Sequence, residues 1–187
     1  IGRDTIIYPN CHIKGNSVIG EDCIIRENTT IEDSHIEDHV TIKSSTILSS
    51  KVGTRTTIGP YAYLRPKSVL GEDVKIGDFV EVKNAEIGNG SKASHLSYIG
   101  DAVVGKNVNI GCGVVFVNYD GKNKFKSIVE DNAFIGSNSN LVAPVTVKEG
   151  GYIATGSTVT VDVPEGALCV ARAREVIKEG WRTKKGL

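Results

Sequence analysis

The chain has 187 residues, and its 22 lysines and arginines are balanced by 22 aspartates and glutamates. This length suits one domain or one array of repeats, and the balanced charge gives no reason to expect a nucleic acid or a membrane as a partner. No apolar run approaches the ~20 residues of a membrane-spanning helix, and the four cysteines lack the density of a secreted disulfide scaffold, so we expect a cytoplasmic protein.

From the first residue, aliphatic side chains recur every six positions. The series runs from Ile1, with a few short deletions, to Val159. A period of six fits neither a helix nor a flat strand, but it fits a short strand followed by a sharp turn. Three such units close a triangular coil of about 18 residues, and stacked coils form a parallel β-helix. We therefore predict an all-β fold, a parallel β-helix over residues 1–163 with the aliphatic side chains inside.

Small residues four positions after an aliphatic residue are also predicted to point inward. Cys11 and Cys23 are two of these, so we interpret both as structural. Because Ile1 is already in register with the repeat and the chain contains no methionine, we expect it to be a fragment of a longer polypeptide.

Counting three aliphatic residues per coil predicts which residues stack on neighbouring coils. One interior column is predicted to contain Ile58, Ile76, Ala93, Ile110, Ile135 and Ile153. Two positions after the last four of these stand His95, Cys112, Ser137 and Thr155. His95 should therefore lie at one end of a groove edged by small side chains.

An adjacent interior column is predicted to contain Leu64, Val82, Ile99 and Phe116. It places Arg65 and Lys83 one above the other, with Tyr98 one coil higher. Asn109 lies on the coil above His95. Although a single exposed cation or histidine is more often structural, we expect these five residues to converge on one edge of the prism. The other histidines share no such neighbourhood and are predicted to be surface residues: His12, His35 and His39.

One interruption breaks the period. Phe116 and Val129 are 13 positions apart, so residues of about 117–128 are predicted to leave the coil as an extruded loop. Loops of this length in compact repeats are usually functional or disordered. This loop contains Asn118, Tyr119, Lys122, Lys124 and Lys126.

The period is lost from Pro164 onward. Residues 164–187 are predicted to form a C-terminal arm, helical or irregular, that is basic and amphipathic. Since an open β-helix must protect its ends, we expect the arm to cap the last coil or to reach a neighbouring chain.

Several motifs are far more specific than the repeat. They are LRP at 64–66, FVEVKNAEIGNGSKASHLSYIGDA at 79–102, NIGCG at 109–113, NYDGKNKFKS at 118–127, FIGSNSNLVAPV at 134–145 and KEGWR at 178–182. With the repeat, they resemble the acetyltransferase half of the bacterial bifunctional N-acetylglucosamine-1-phosphate uridyltransferase and glucosamine-1-phosphate N-acetyltransferase family, over essentially the whole chain. The resemblance implies a left-handed β-helix, a homotrimer with sites shared between subunits, acetyl-CoA as cosubstrate, and a role in UDP-N-acetylglucosamine synthesis for cell-wall precursors.

The resemblance also implies roles for residues that match the family's motifs. His95 is similar to the general base of the family. The sugar-phosphate ligands match Arg65, Lys83, Tyr98 and Asn109, with Lys124 of the loop adding charge. The positions that contact acetyl-CoA match Cys112, Asn118, Tyr119, Ser137, Thr155 and Arg172. Cys112 and Thr155 stand where the family often has alanine, which matters little if the contacts there use the backbone.

The resemblance implies a second half as well. A uridyltransferase domain with a magnesium site is expected to precede Ile1 in the parent protein, and it is not in this chain. We expect this chain to perform only acetyl transfer, which requires no metal.

Three other functions use the same kind of coil. A trimeric carbonic anhydrase would need about three convergent imidazoles for zinc, whereas only His95 lies in the predicted cluster. A different hexapeptide acyltransferase, acting on another amine or on a hydroxyl, is the closer alternative, and Arg65 and Lys83 argue against it. The non-enzymatic alternative is a structural or ice-binding rod, or the regulatory tail of a nucleotidyltransferase, and such a rod would need neither the lysine-containing loop nor the cationic cluster.

Overall fold

The computed structural model describes residues 1–186. It contains 23 parallel β-strands in one continuous sheet and a single short helix. The elements are β1 (Ile6–Ile7), β2 (His12–Lys14), β3 (Val18–Ile19), β4 (Ile24–Ile25), β5 (Thr30–Glu32), β6 (His35–Ile36), β7 (Thr41–Ile42), β8 (Thr46–Leu48), β9 (Lys51–Val52), β10 (Thr57–Ile58), β11 (Tyr63–Leu64), β12 (Val69–Leu70), β13 (Lys75–Ile87), β14 (Lys92–Val104), β15 (Asn109–Ile110), β16 (Val115–Val117), β17 (Ser127–Val129), β18 (Phe134–Ile135), β19 (Asn140–Val142), β20 (Val145–Val147), β21 (Tyr152–Ile153), β22 (Thr158–Val159), β23 (Leu168–Cys169) and α1 (Trp181–Lys184).

The strands wind into a left-handed parallel β-helix of about 10 turns. Each strand pairs with the strand three positions later along the chain in most of the rod, so Ile6 lies opposite Ile24 and Ile13 opposite Ile31. Three strands therefore complete one coil, as the six-residue period predicts. This confirms the predicted fold class.

From Ile19 onward the aliphatic column residues fill the interior of the rod. In β10, for example, Thr57 is exposed and Ile58 is buried, because successive side chains on a strand point to opposite faces. The prediction is wrong for Ile1 and Ile7, which are 72% and 38% exposed on the first coil. Cys23 is fully buried and Cys11 packs against the core, so both cysteines are structural, as predicted. His12, His35 and His39 are exposed, which confirms their predicted surface positions.

The predicted columns are present. Ile58 pairs with Ile76, Ile76 with Ala93, and Ala93 with Ile110. Above the loop, Ile110 pairs with Ile135. The residues between β16 and β17 therefore replace the short turn at one corner of the coil, and the column continues in register.

The sharp corners of the coil are turned by residues with positive φ, most of them Asn, Asp or Gly. Three large apolar residues do the same on one corner: Tyr61 (φ 57°), Phe79 (φ 57°) and Leu96 (φ 33°). All three are more than half exposed, and the rings of Tyr61 and Phe79 stack with centroids 5.6 Å apart. We call these three residues the apolar strip.

The coil continues beyond Pro164, where the sequence loses its period. Leu168 and Cys169 of β23 pair with Tyr152 and Ile153, so the last coil includes the first residues of the predicted arm. From Arg172 to Gly186 the chain is exposed, and within these residues only α1 is helical. No helix within residues 1–186 is long and apolar enough to cross a membrane.

Candidate active site

One corner of the coil, which follows the Ala93 column, carries His95. We call it the His95 corner. Because the strands are in register, Asp78 lies directly opposite His95 on the preceding coil. The residues at the same position of the later coils are Cys112, Ser137 and Thr155. At the upper end, the Arg172 side chain lies beside Gly156.

His95 and Asp78 form a hydrogen-bonded pair. His95 Nδ1 lies 2.7 Å from Asp78 Oδ1, and the hydrogen bond from the ring holds the pKa of the Asp78 carboxyl below its ordinary value. The His95 side chain is 61% exposed, and within residues 1–186 its Nε2 has no hydrogen-bond partner. The arrangement leaves Nε2 facing solvent as a site that can accept a proton.

Glycine allows the coils to approach closely just above His95. A Cβ atom at Gly111 would lie 2.6 Å from the backbone nitrogen of Ser137, so no side chain fits there. In the described part of the chain, the backbone N–H of Cys112 donates to no protein acceptor. Cys112 itself is exposed. The groove predicted beside His95 is therefore lined by small side chains and offers a free backbone donor.

The next corner, which follows the Ile99 column, carries the basic residues and the loop. We call it the loop corner. A pocket of about 340 Å³ is lined there by Arg65, Pro66, Lys67, Lys83, Asn84, Asp101 and Lys124. The hydrogen bond from Arg65 Nη1 to Glu81, at 2.9 Å, raises the pKa of the guanidinium. The neighbouring Lys83 ammonium lowers the pKa of Lys124. The pocket is thus cationic and suited to an anion.

Asp101 is buried at the base of this cationic pocket. Its carboxylate accepts hydrogen bonds from Asn84 and Asn118 and lies 3.5 Å from Lys83 Nζ. Burial raises the pKa of Asp101, but the two amide donors and the Lys83 ammonium outweigh it and leave the pKa below its ordinary value. Asp101 therefore joins the base of the loop to the cationic pocket.

Tyr98 reaches the same network from the adjacent face. A Cβ atom at Gly100 would lie 2.4 Å from the Tyr98 hydroxyl, so the ring lies over this glycine. Asn118 donates a hydrogen bond of 3.3 Å to that hydroxyl. Tyr119, the next loop residue, is exposed.

The predicted convergence on one edge is not found within one chain. Arg65, Lys83 and Lys124 lie on the loop corner, whereas His95 lies on the corner before it. Asn109 pairs with Lys92 on the face that precedes His95. The residues matched to acetyl-CoA contacts divide in the same way. Those on the His95 corner are Cys112, Ser137, Thr155 and Arg172, and those on the loop corner are Asn118 and Tyr119.

Two acidic residues of these sites were missed in the sequence. Asp78 stands two positions after Ile76, so the column count that placed Cys112 above His95 also places Asp78 below it. Asp101 follows Gly100 at a corner and is turned inward with a φ of 49°. No spacing rule distinguishes it from the other corner aspartates.

Within residues 1–186, no group of three or more His, Cys, Asp and Glu side chains is arranged to hold a metal ion.

Two curated relatives align with this chain over nearly its whole length. It is 74% identical over 185 residues to the bifunctional protein GlmU of Clostridioides difficile, covering 99% of this chain and 40% of that protein. It is 71% identical over 187 residues to the bifunctional protein GlmU of Alkaliphilus oremlandii, covering 100% of this chain and 41% of that protein. This chain is homologous to one part of GlmU. The finding confirms the resemblance drawn from the motifs, and the chain spans about two fifths of these relatives' length.

Two further comparisons concern the fold. The family described as GMPPB C-terminal domain matches residues 1–87. The solved structure of a UDP-N-acetylglucosamine acyltransferase from Campylobacter jejuni superposes with a TM-score of 0.62 at 22% identity, covering 89% of this chain and 71% of that one. The corresponding enzyme from Bacteroides fragilis gives a TM-score of 0.61 at 21% identity, covering 87% and 70%. At such identities the likeness is one of fold.

Proposed function

We propose that this chain transfers the acetyl group of acetyl-CoA to the amine of glucosamine-1-phosphate, giving N-acetylglucosamine-1-phosphate and free CoA. The observation that carries the proposal is that a GlmU homologue presents both an imidazole with a free Nε2 and a separate cationic pocket. The imidazole suits removal of a proton from an amine, and the pocket suits the sugar phosphate. The uridyltransfer and magnesium site expected of the parent protein lie outside this chain and stay predictions.

The proposed reaction begins with a neutral amine. As the amine nitrogen bonds to the thioester carbonyl carbon, its proton moves to Nε2 of His95. The tetrahedral intermediate then breaks its C–S bond, and the CoA sulfur leaves with the proton returned by the imidazolium. The free N–H of Cys112 is a suitable donor to the oxyanion that forms between these steps.

The phosphate of the sugar is proposed to bind in the cationic pocket. Arg65, Lys83 and Lys124 bring their basic groups together there, and the hydrogen bond with Lys83, followed by the repulsion from its charge, lowers the pKa of Lys124. A phosphate between these basic groups would offset the repulsion among them and accept charge-assisted hydrogen bonds. A hydroxyl or amine acceptor without an anionic group gains nothing from this pocket, which favours glucosamine-1-phosphate over other acceptors of hexapeptide acyltransferases.

We propose that the active site forms between the chains of a homotrimer. The imidazole and the cationic pocket lie on different corners of one rod, so a second rod must bring its loop corner to the His95 corner of the first. The apolar strip lies on the His95 corner, exposed and strained, and suits burial against another chain. In a closed trimer, each subunit would bring one His95 corner with its apolar strip and one loop corner into contact with its neighbours.

The test is acetyl transfer measured by release of the CoA thiol. Glucosamine-1-phosphate should be acetylated far faster than glucosamine, and a sugar offering only hydroxyl groups should give no thiol release above hydrolysis. His95→Ala should lower the rate by about 10²- to 10⁴-fold without changing the oligomeric state. Near-normal turnover by that variant, or no preference for the phosphorylated amine, would contradict the proposal.

A further inference from the structure

We infer that Asp78 is a positioning residue for His95, holding the imidazole in the tautomer that the proposed reaction requires. The inference rests on the proposed function and assigns a role to a residue that the motifs do not. It starts from the hydrogen bond of 2.7 Å between Asp78 Oδ1 and His95 Nδ1.

The backbone makes this pair a built feature of the rod. Asp78 and His95 are register partners on β13 and β14, the two longest strands, so their side chains leave the same corner on successive coils. The coils are in close contact there, because a Cβ atom at Gly77 would overlap the carbonyl oxygen of Ser94. The Asp78 side chain is 39% exposed. The carboxylate thus approaches the imidazole from a fixed direction.

The pair determines which ring nitrogen is available. An ionised carboxylate only accepts hydrogen bonds, so Nδ1 must carry the proton that Asp78 accepts. The lone pair of the neutral ring then lies on Nε2, which is free within the described residues. When Nε2 takes the amine proton, the carboxylate also stabilises the imidazolium. Without Asp78, the ring would rotate and the wrong tautomer would be populated.

A second aspartate–histidine pair shows what an ordinary surface contact looks like in this protein. Asp22 Oδ2 lies 3.7 Å from His39 Nδ1, beyond hydrogen-bond distance, and both side chains are at least half exposed. His39 lies on the third corner of the rod, which follows the Ile36 column, and on one of its first coils, so it belongs to neither proposed site corner. Asp22 is therefore a matched control, with the same side-chain types and no role in the site.

The experiment compares Asp78→Ala, Asp78→Asn and Asp22→Ala in steady-state kinetics of the intact chain. Asp78→Ala should lower kcat by about 10- to 100-fold, part of the contribution of a general base, with KM for acetyl-CoA unchanged. Asp78→Asn, whose amide group can also donate to Nδ1, no longer fixes the tautomer and should lower kcat as Asp78→Ala does. Asp22→Ala should match the wild type.

The decisive measurement is the same substitution without the base. In a His95→Ala background, Asp78→Ala should cause no further loss, because a residue that acts through His95 has nothing left to act on. An equal loss in both backgrounds would overturn the inference and indicate a structural role.

A spectroscopic measurement separates the inference from the proposed function. With ¹⁵N-labelled histidine, NMR should show His95 as the Nδ1-protonated tautomer in the wild type and a mixture in Asp78→Ala. That result stands even if glucosamine-1-phosphate proves to be the wrong substrate. An unchanged tautomer in Asp78→Ala would refute the positioning role, whatever the activity.

Discussion

Replacing Lys83 with alanine tests whether the cationic pocket selects a phosphorylated sugar. The Lys83 side chain is only 18% exposed, and its Nζ lies 3.5 Å from Asp101, at the outer limit of a hydrogen bond. The ammonium therefore keeps donors for a bound anion. Each charge-assisted hydrogen bond contributes roughly 1.5–3 kcal/mol, which corresponds to about 10- to 150-fold in kcat/KM. Lys83→Ala should lower kcat/KM for glucosamine-1-phosphate by this factor.

The same substitution should leave the slower reaction of unphosphorylated glucosamine nearly unchanged, because that sugar places no anion in the pocket. Thiol release measured with both sugars gives the ratio directly. Lys51→Ala, an exposed lysine on the third face of the rod, is the matched control and should alter neither value. Asp101 keeps its hydrogen bonds from Asn84 and Asn118, so the variant should still fold, which a melting curve checks. An equal loss for both sugars would refute the phosphate role of Lys83.

Two further predictions concern assembly and acid stability. Leu96→Glu should convert the proposed trimer to monomers in light scattering and abolish acetyl transfer. Leu168→Glu, in β23 of the last coil and 65% exposed against 58% for Leu96, should do neither. A trimer formed by Leu96→Glu would exclude the apolar strip from the interface. Since the folded pKa of Asp101 lies below its unfolded value, its contribution to the free energy of unfolding is present above about pH 4 and is lost as pH falls through the folded pKa. Asp101→Asn should therefore have a lower free energy of unfolding than the wild type at neutral pH. Between pH 5 and pH 3 its free energy of unfolding in urea should fall less steeply than that of the wild type. An equal dependence on pH in both proteins would contradict this.

The columns of the rod were predictable from the sequence because a β-helix translates spacing directly into position. Ala93 occupies an aliphatic slot, yet its register with Ile76 and Ile110 follows from counting alone. The spacing across the loop does not say how many corner turns the loop replaces. The prediction assumed one corner turn, and the pairing of Ile110 with Ile135 confirms it.

The arrangement of the site was predictable along the rod but not around it. Counting gave the stack from His95 to Thr155, yet it merged two corners, because successive aliphatic residues such as Ala93 and Ile99 lie on different faces. The six-residue period also did not predict the direction in which individual corner side chains point. Tyr98 lies over Gly100, and Asp101 turns inward to two amides, through local geometry that a six-residue pattern does not encode.

The loop also bears on how such a rod changes during evolution. Residues between Val117 and Ser127 depart and return at one corner, and the strands above remain aligned, with Phe116 opposite Leu141. An extra residue within a strand would instead move the following side chains of that strand to the opposite face. Doubling the length of a flexible loop costs only about 0.6 kcal/mol in closure entropy. Corners are therefore where insertions are tolerated, so new binding surfaces can be added there while the interior columns stay the same.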